Sequence, residues 1–224
     1  MSYNSQQESK IRDSITILNA QTTYLHSPAF AKSSAGKQVC KYVVWGGSKV
    51  IMPAKKISLK NAKKDKLFYF VANVVVYREN DGRCLILKRS EKEKVHPGKY
   101  CVPGGKLEWA QLDIKKPTRL NGDVLDFEDA VEDLLARETL EEAGIEIKND
   151  LRYINSVAFV RPDEIPVVLV KFAAKYKSGK VKIESDAFSG YAWVNEAEVK
   201  NYKCIKGIPE EIIHTIKVYG KDKK

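Results

Sequence analysis

Apolar residues in this chain come in short blocks separated by turn signals, and the spacing within each block sets out an element. Residues 67–77, LFYFVANVVVY, are the densest block; their aromatic and β-branched content predicts a buried strand. Asn80-Asp81-Gly82 is a turn signal, and Cys84 to Lys88 reads as the partner strand of a hairpin. His96-Pro97-Gly98 marks another turn before a short strand through Tyr100 and Val102, which Pro103-Gly104-Gly105 is expected to end. Residues 128–143 have a helical period and stop at Gly144, a favourable C-terminal residue. Further strands are expected at 151–161, 166–176 and Tyr191 to Val194, and residues 208–218 read as a closing helix. Strands and helices mix without regular βαβ alternation. The pattern therefore predicts an α+β or α/β sandwich rather than a doubly wound sheet.

The first third of the chain is different. Residues 1–36 are mostly polar, with one amphipathic stretch around Ile11, Ile15 and Leu18 that predicts a short helix. Residues 41–53 predict two short strands around Gly46-Gly47, and residues 55–66 form a basic connector. The division expected is a basic extension, 1–66, followed by a denser domain, 67–224.

Charge sharpens that division. The chain has 224 residues and a net charge of +10. Residues 1–66 hold twelve Lys/Arg against Glu8, Asp13 and Asp65, so nearly all of the excess lies there. Such an excess attracts polyanions, whether nucleic acid or a phosphorylated substrate; it also serves solubility, or a homodimer contact. No recognition motif accompanies it, so a solvated surface is the more ordinary reading, with RNA a possible partner. Cys40, Cys84, Cys101 and Cys204 are widely spaced and suggest neither a zinc site nor a disulfide framework. No run approaches the ~20 apolar residues of a membrane-spanning helix, and the N-terminus lacks the apolar stretch of a signal peptide. The expectation is a cytoplasmic protein with reduced thiols and no membrane partner.

Candidate chemistry sits on the helix at 128–143. At ~100° per residue, Phe127, Val131, Leu134, Leu135 and Ile145 share one arc. Glu138, Glu141 and Glu142 fall in that same arc. A solvated acidic face would instead lie opposite the apolar stripe. Acids spaced i, i+3 and i+4 crowd their charges. Where partly buried they must protonate or acquire a cation. Clustered carboxylate oxygens favour a hard divalent ion, Mg²⁺ or Mn²⁺.

The order of residues carries the reading further. Arg137-Glu138-Thr139-Leu140-Glu141-Glu142-Ala143-Gly144-Ile145 resembles the second half of the Nudix box. In that family the box is glycine, five residues, glutamate, seven residues, then Arg-Glu-U-x-Glu-Glu-x-Gly-U, with U aliphatic. Asp129 stands at the place of the first glutamate, and Gly105, within Pro103-Gly104-Gly105-Lys106-Leu107-Glu108, matches the glycine. Leu87-Lys88-Arg89-Ser90, Pro97-Gly98-Lys99-Tyr100 and Tyr191-Ala192-Trp193-Val194 also look like the family, so the resemblance spans about residues 68–218. Three departures stand out. Gly105 and Asp129 are 23 residues apart where the family has five, so an insertion at about 110–127 is expected to form a loop beside the site. Asp129 is one methylene shorter than the usual glutamate. Thr139 takes an aliphatic position.

The resemblance implies an α+β fold, an α/β/α sandwich whose mixed sheet is flanked by helices, and Mg²⁺-dependent hydrolysis of a diphosphate linkage in a nucleoside diphosphate derivative. It implies Glu141 and Glu142 as principal metal ligands, Glu138 as ligand or general base, and the Gly105 carbonyl as a further ligand. Arg137 would orient a helix carboxylate, and Asp129 would contribute from outside. Glu184 or Asp186 are alternative bases. Trp109, Tyr100 and Arg89 are candidates for substrate contact, with Trp45 and Tyr69 as further aromatics; His96 and His214 read as structural. Two other functions remain open: an RNA 5′-end pyrophosphohydrolase of decapping type, and a non-catalytic nucleotide-sensing module on the same fold.

Overall fold

The computed structural model describes residues 43–45, 48–50 and 53–220. The chain divides into two compact units, 1–49 and 50–224. Strands β1 (Val43–Trp45) and β2 (Ser48–Val50) pair on either side of Gly46-Gly47, as the alternation there predicts. The helix expected around Ile11, Ile15 and Leu18 lies outside the described residues.

The second unit is built on a mixed sheet. Its central path runs β10 (Arg152–Val160), β11 (Pro166–Gly179), β3 (Tyr69–Arg78), β4 (Arg83–Arg89) and β12 (Phe188–Val194). Strands β11 and β3 are parallel and the other pairings antiparallel. Three short strands complete it: β5 (Tyr100–Cys101) on β4, β6 (Gly104–Lys106) on β3, and β9 (Ile145–Ile147) on β11. Helix α1 (Ala130–Ala143) packs on one face and α2 (Ile208–Gly220) on the other.

The near-continuous apolar run of β3 follows from burial on both faces. Ala72, Val74 and Val76 join Leu134 and Leu135 of α1 in one core. Val75 and Tyr77 join Ile208, Ile212 and Tyr219 of α2 in the other. Tyr219 stacks on Tyr77 at 5.3 Å between ring centroids, and its hydroxyl donates to the Ala173 carbonyl at 3.1 Å. Among the described residues, no helix is long and apolar enough to cross a membrane.

Three expectations need correction. Strand β5 does end before Pro103, but the Pro103 carbonyl accepts from the Val74 N–H at 2.9 Å, and Gly104 and Gly105 open strand β6, with Gly105 opposite Ala72. The segment 110–127 is more than a loop. Gly122-Asp123 turns a hairpin between β7 (Arg119–Asn121) and β8 (Val124–Asp126), with Gly122 at φ 63°. Strand β9 follows α1 directly across the left-handed Gly144, too short to show a period of its own.

Leu135 and Ile212 are each fully buried, on opposite faces of the sheet. Leu135→Ala and Ile212→Ala should each lower unfolding stability by ~2–5 kcal/mol in urea titration, and the double variant should lose the sum. At the far end of β3, Glu79 takes hydrogen bonds from Lys175 and Lys148, which hold its carboxyl down to about 2. A lowered carboxyl stabilises the fold above its ordinary value of 4.5 and loses that contribution as pH falls toward 2. The stability gap between wild type and Glu79→Gln should therefore close across that window.

Candidate active site

Helix α1 begins at Asp129, which is exposed and left-handed at φ 57° and makes no side-chain cap. Glu132 and Asp133 in its first turn suit the positive end of the helix dipole. Its last turn brings acids against the sheet. Gly104 donates its backbone N–H to Glu142 Oε2 at 3.0 Å. A Cβ on Gly105 would stand 2.4 Å from the Glu138 carboxyl carbon, so the bare backbone at Gly105 is what lets Glu138 close on β6.

Burial pushes the Glu142 carboxyl up to about 8, and the charges of Glu138 and Glu184 push the same way. The Gly104 N–H and the Arg89 guanidinium oppose this without cancelling it. Glu184 is tied to the same place by its backbone N–H, which donates to the Glu142 carbonyl at 3.1 Å. No comparable contact joins Asp186 to the helix among the described residues.

Arg137 lies across the acids. Its Nη1 donates to Glu141 Oε2 at 3.0 Å, and its Nη2 stands 2.8 Å from Glu138 Oε1. The second approach is an ion pair without hydrogen-bond alignment, which leaves Nη2 a buried donor with no partner. Glu141 departs from the expected arc: its side chain is 56% exposed, against 17% for Glu138. The fully buried residue of that turn is Thr139, whose hydroxyl donates to the Leu135 carbonyl at 2.7 Å. That bond satisfies the hydroxyl inside the core and explains how a threonine fits an otherwise aliphatic position.

Oxygen donors of this kind suit a hard divalent cation, and a carboxyl raised by burial and by neighbouring acids is one a cation would ionise. Glu138, Glu142 and the Gly105 backbone converge from two elements. Glu141 is turned toward Arg137, and no three acidic, His or Cys side chains among the described residues stand close enough together to hold a metal as placed. A three-glutamate set needs Glu141 to leave Arg137.

Glu138, Arg137 and the Gly104-Gly105 backbone open onto a cleft of about 1340 Å³. Arg89, Lys94, Lys106, Arg161 and Lys206 line it and give it a cationic rim, while Tyr69 and Phe159 supply aromatic surface. Arg89 donates to the Val95 carbonyl at 2.8 Å and pairs with Glu93. The other aromatic candidates are elsewhere. Trp109 is 60% exposed in a separate groove of about 430 Å³, formed by the insertion and residues 54–59. Tyr100 packs edge-on against Tyr202 at 4.9 Å and does not line the cleft. His96 lines the cleft at φ 53°, and His214 does not. Asp129 also stands apart from it. Pattern reading missed Lys171 and Asn73, which line the cleft from β11 and β3.

The α/β/α sandwich thus sets a glutamate-bearing helix against a bare glycine strand beside a cleft with a cationic rim. The family model described as the NUDIX domain matches residues 69–215, and the chain belongs to the Nudix family as a Nudix-type hydrolase. It is 34% identical over 71 residues to an NAD-capped RNA hydrolase, NudC, of Photobacterium profundum; the match covers 32% of this chain and 25% of that protein. The chain therefore spans about a quarter of that relative's length. Among solved structures, it is similar to the Nudix domain of Shewanella oneidensis NrtR complexed with ADP ribose. There the TM-score is 0.51 at 16% identity, covering 74% of this chain and 96% of that one. A MutT protein from Methanosarcina mazei Go1 gives a TM-score of 0.48 at 21% identity, covering 72% and 100%.

The two adjacent glycines should fail differently when given a side chain. A Cβ at Gly104 would meet the Ala72 carbonyl at 2.4 Å, which is backbone and cannot yield cheaply; at Gly105 it meets only the end of the Glu138 side chain. Gly104→Ala is expected to lose at least ~2 kcal/mol of stability, and Gly105→Ala under ~1 kcal/mol while displacing Glu138. Thermal unfolding of both variants checks the contrast.

Proposed function

We propose that this chain hydrolyses a diphosphate linkage in a nucleoside diphosphate derivative, such as a nucleoside triphosphate or a nucleotide sugar. The observation that carries this reading is the pairing of Glu138 and Glu142 with the Gly104-Gly105 backbone at the mouth of a cation-rimmed cleft. Glu138, Glu141 and Glu142, with the Gly105 carbonyl, would hold one or more Mg²⁺ or Mn²⁺ ions; when bound, these supply positive charge to the diphosphate and to the attacking water. Water attacks phosphorus, the bridging P–O bond breaks, and two phosphate-bearing products leave.

The chain's own groups do the rest. The Gly104 N–H fixes Glu142, and Arg137 orients Glu138 while releasing Glu141 to the metal. Lys94, Lys106 and Lys206 draw the phosphates in. Glu138 or Glu184 takes the proton of the attacking water; contact with the Glu142 backbone favours Glu184 over Asp186. Asp129, exposed at the start of α1, contributes at most indirectly. The cytoplasm suits such a substrate.

A second reading has one observation behind it. The curated relative is an NAD-capped RNA hydrolase, and the match to it includes no more than 32% of this chain. Action on an RNA 5′ end would use the basic segment 1–66 to hold the chain of phosphates.

Purified protein with Mg²⁺ should release phosphate-bearing products from at least one of nucleoside triphosphates, dinucleoside polyphosphates, nucleotide sugars, ADP-ribose or capped RNA. Chelation of the metal should abolish turnover, and Glu142→Gln should lower kcat/KM by at least roughly 100-fold. No turnover with any of these, or equal turnover by the glutamine variant, would sink the reading. Steep loss of activity with added salt on capped RNA, but not on free nucleotide, selects the RNA reading.

A further inference from the structure

One charged side chain interrupts the apolar run Val167–Ala174 of β11, and it lines the cleft: Lys171. Its ammonium donates to Glu211 Oε1 in the first turn of α2. The pair is withdrawn from water, with side-chain exposures of 13% for Lys171 and 2% for Glu211. Desolvating two ions costs several kcal/mol each, so stability alone is a poor reason to keep such a pair. Glu211 Oε2 has no hydrogen-bond partner at all. The backbone is shaped around the pair. Gly207 sits at φ 97°, and a Cβ there would come within 3.2 Å of Glu211 Oε1 and 3.6 Å of Lys171 Nζ.

The strand register says what Lys171 faces. Lys171 is beside Asn73 on β3, and Asn73 is opposite Gly104 on β6. Strands lie ~4.8 Å apart, so this row reaches from Lys171 to Gly104, which holds Glu142, in about 10 Å. Across β10, β11 and β3 the next two rows of the same face are apolar: Val157, Leu169 and Val71, with Lys106 of β6 beside Val71, then Phe159, Val167 and Tyr69. Val157, Phe159 and Tyr69 keep 42%, 42% and 48% of their surface exposed. The cleft floor is thus an apolar shelf with aromatic edges, closed at its inner end by a row of hydrogen-bonding groups.

An ammonium already matched to a carboxylate brings no net charge to a phosphate. Exposed Lys94, Lys106 and Lys206 on the rim serve that purpose better. What Lys171 retains is its other N–H donors, in a fixed place. We propose that Lys171, held by Glu211, is a specificity-determining residue that hydrogen-bonds, with Asn73, the polar edge of a planar heteroaromatic group lying on the apolar shelf. The heteroaromatic group is the base of the nucleotide substrate, and for that identity the inference rests on the diphosphate reading above. Glu211 is a positioning residue, since it acts only through Lys171.

Binding, not turnover, tests it. Calorimetric titration with Mg²⁺ would use methylene-bridged, uncleavable analogues of ADP, GDP, CDP and UDP, with methylenediphosphonate as the base-free probe. Wild type should bind at least one nucleotide analogue about tenfold or more tightly than the base-free probe, because a site built to hydrogen-bond a polar edge rewards its presence. Lys171→Met should remove most of that tenfold advantage while changing affinity for methylenediphosphonate by less than about twofold. Glu211→Gln keeps the ammonium but loosens it, and should also shrink the advantage. Equal loss of affinity for the base-free probe would make Lys171 a phosphate contact and overturn the proposal. So would an unchanged advantage in Lys171→Met, or no base advantage in wild type. Should Lys171→Met not fold, the double variant Lys171→Met with Glu211→Met, which leaves no buried charge unpaired, gives the same readings. Because cleavage is not read, failure here is separate from failure of the hydrolysis assay.

Discussion

Strand β6 presents two residues without side chains where helix α1 comes down onto the sheet, and the site depends on that bare edge. Gly104 can lie flat beside Ala72 and Asn73 only because it has no Cβ, and from there its N–H reaches Glu142. Gly105 leaves room for Glu138. Any larger residue would force a choice between sheet pairing and the approach of the acids. The sequence accepts the backbone entropy of two glycines in a strand, where glycine is otherwise disfavoured, in return for that contact.

The cleft exists because α2 covers only part of its face of the sheet. Val75 and Tyr77 of β3 lie under α2 and are buried, whereas Tyr69, Val71 and Asn73, on the same side of the same strand, line open volume. One strand therefore serves as core at one end and as binding floor at the other. Alternation assigns both sets to one face, but not the point where the helix begins and the floor gives way to core. That point is set by the left-handed Gly207 ahead of Ile208, a tertiary feature that a single strand does not encode.

Much of this was legible in residue order. The helix, its stop at Gly144, the glycine pair and the sandwich class all follow from local spacing, because each is fixed within one element. Glu141 was not legible. It shares an arc with Glu138 and Glu142 on a helical wheel, but Arg137, one turn earlier, draws it outward. The strand at Gly104 was hidden because Pro-Gly-Gly is also a turn signal, and only pairing with β3 decides between the two. The insertion hairpin had its signal in Asn121-Gly122, with too few β-branched residues beside it to declare strands. Lys171 had a signal too, as the one charge in an otherwise apolar stretch. Its partner lies forty residues on, in another element, and pattern alone could not join them.

Two buried acids share this half of the molecule, and burial raises both carboxyls. Their surroundings differ in a way that separates their roles. Glu211 has an ammonium against it, so its charge is already matched and its effect is to fix a donor. Glu142 takes a backbone N–H, and the charges of Glu138 and Glu184 act on it against that of the Arg89 guanidinium without being cancelled. A neutral pair organises hydrogen bonds, whereas a cluster in which acids outweigh their basic neighbours calls for a cation from outside. The row from Lys171 through Asn73 to Gly104 connects the two across three strands of one sheet. The same backbone that would set a metal would thereby also set the distance from it to the group that reads the substrate.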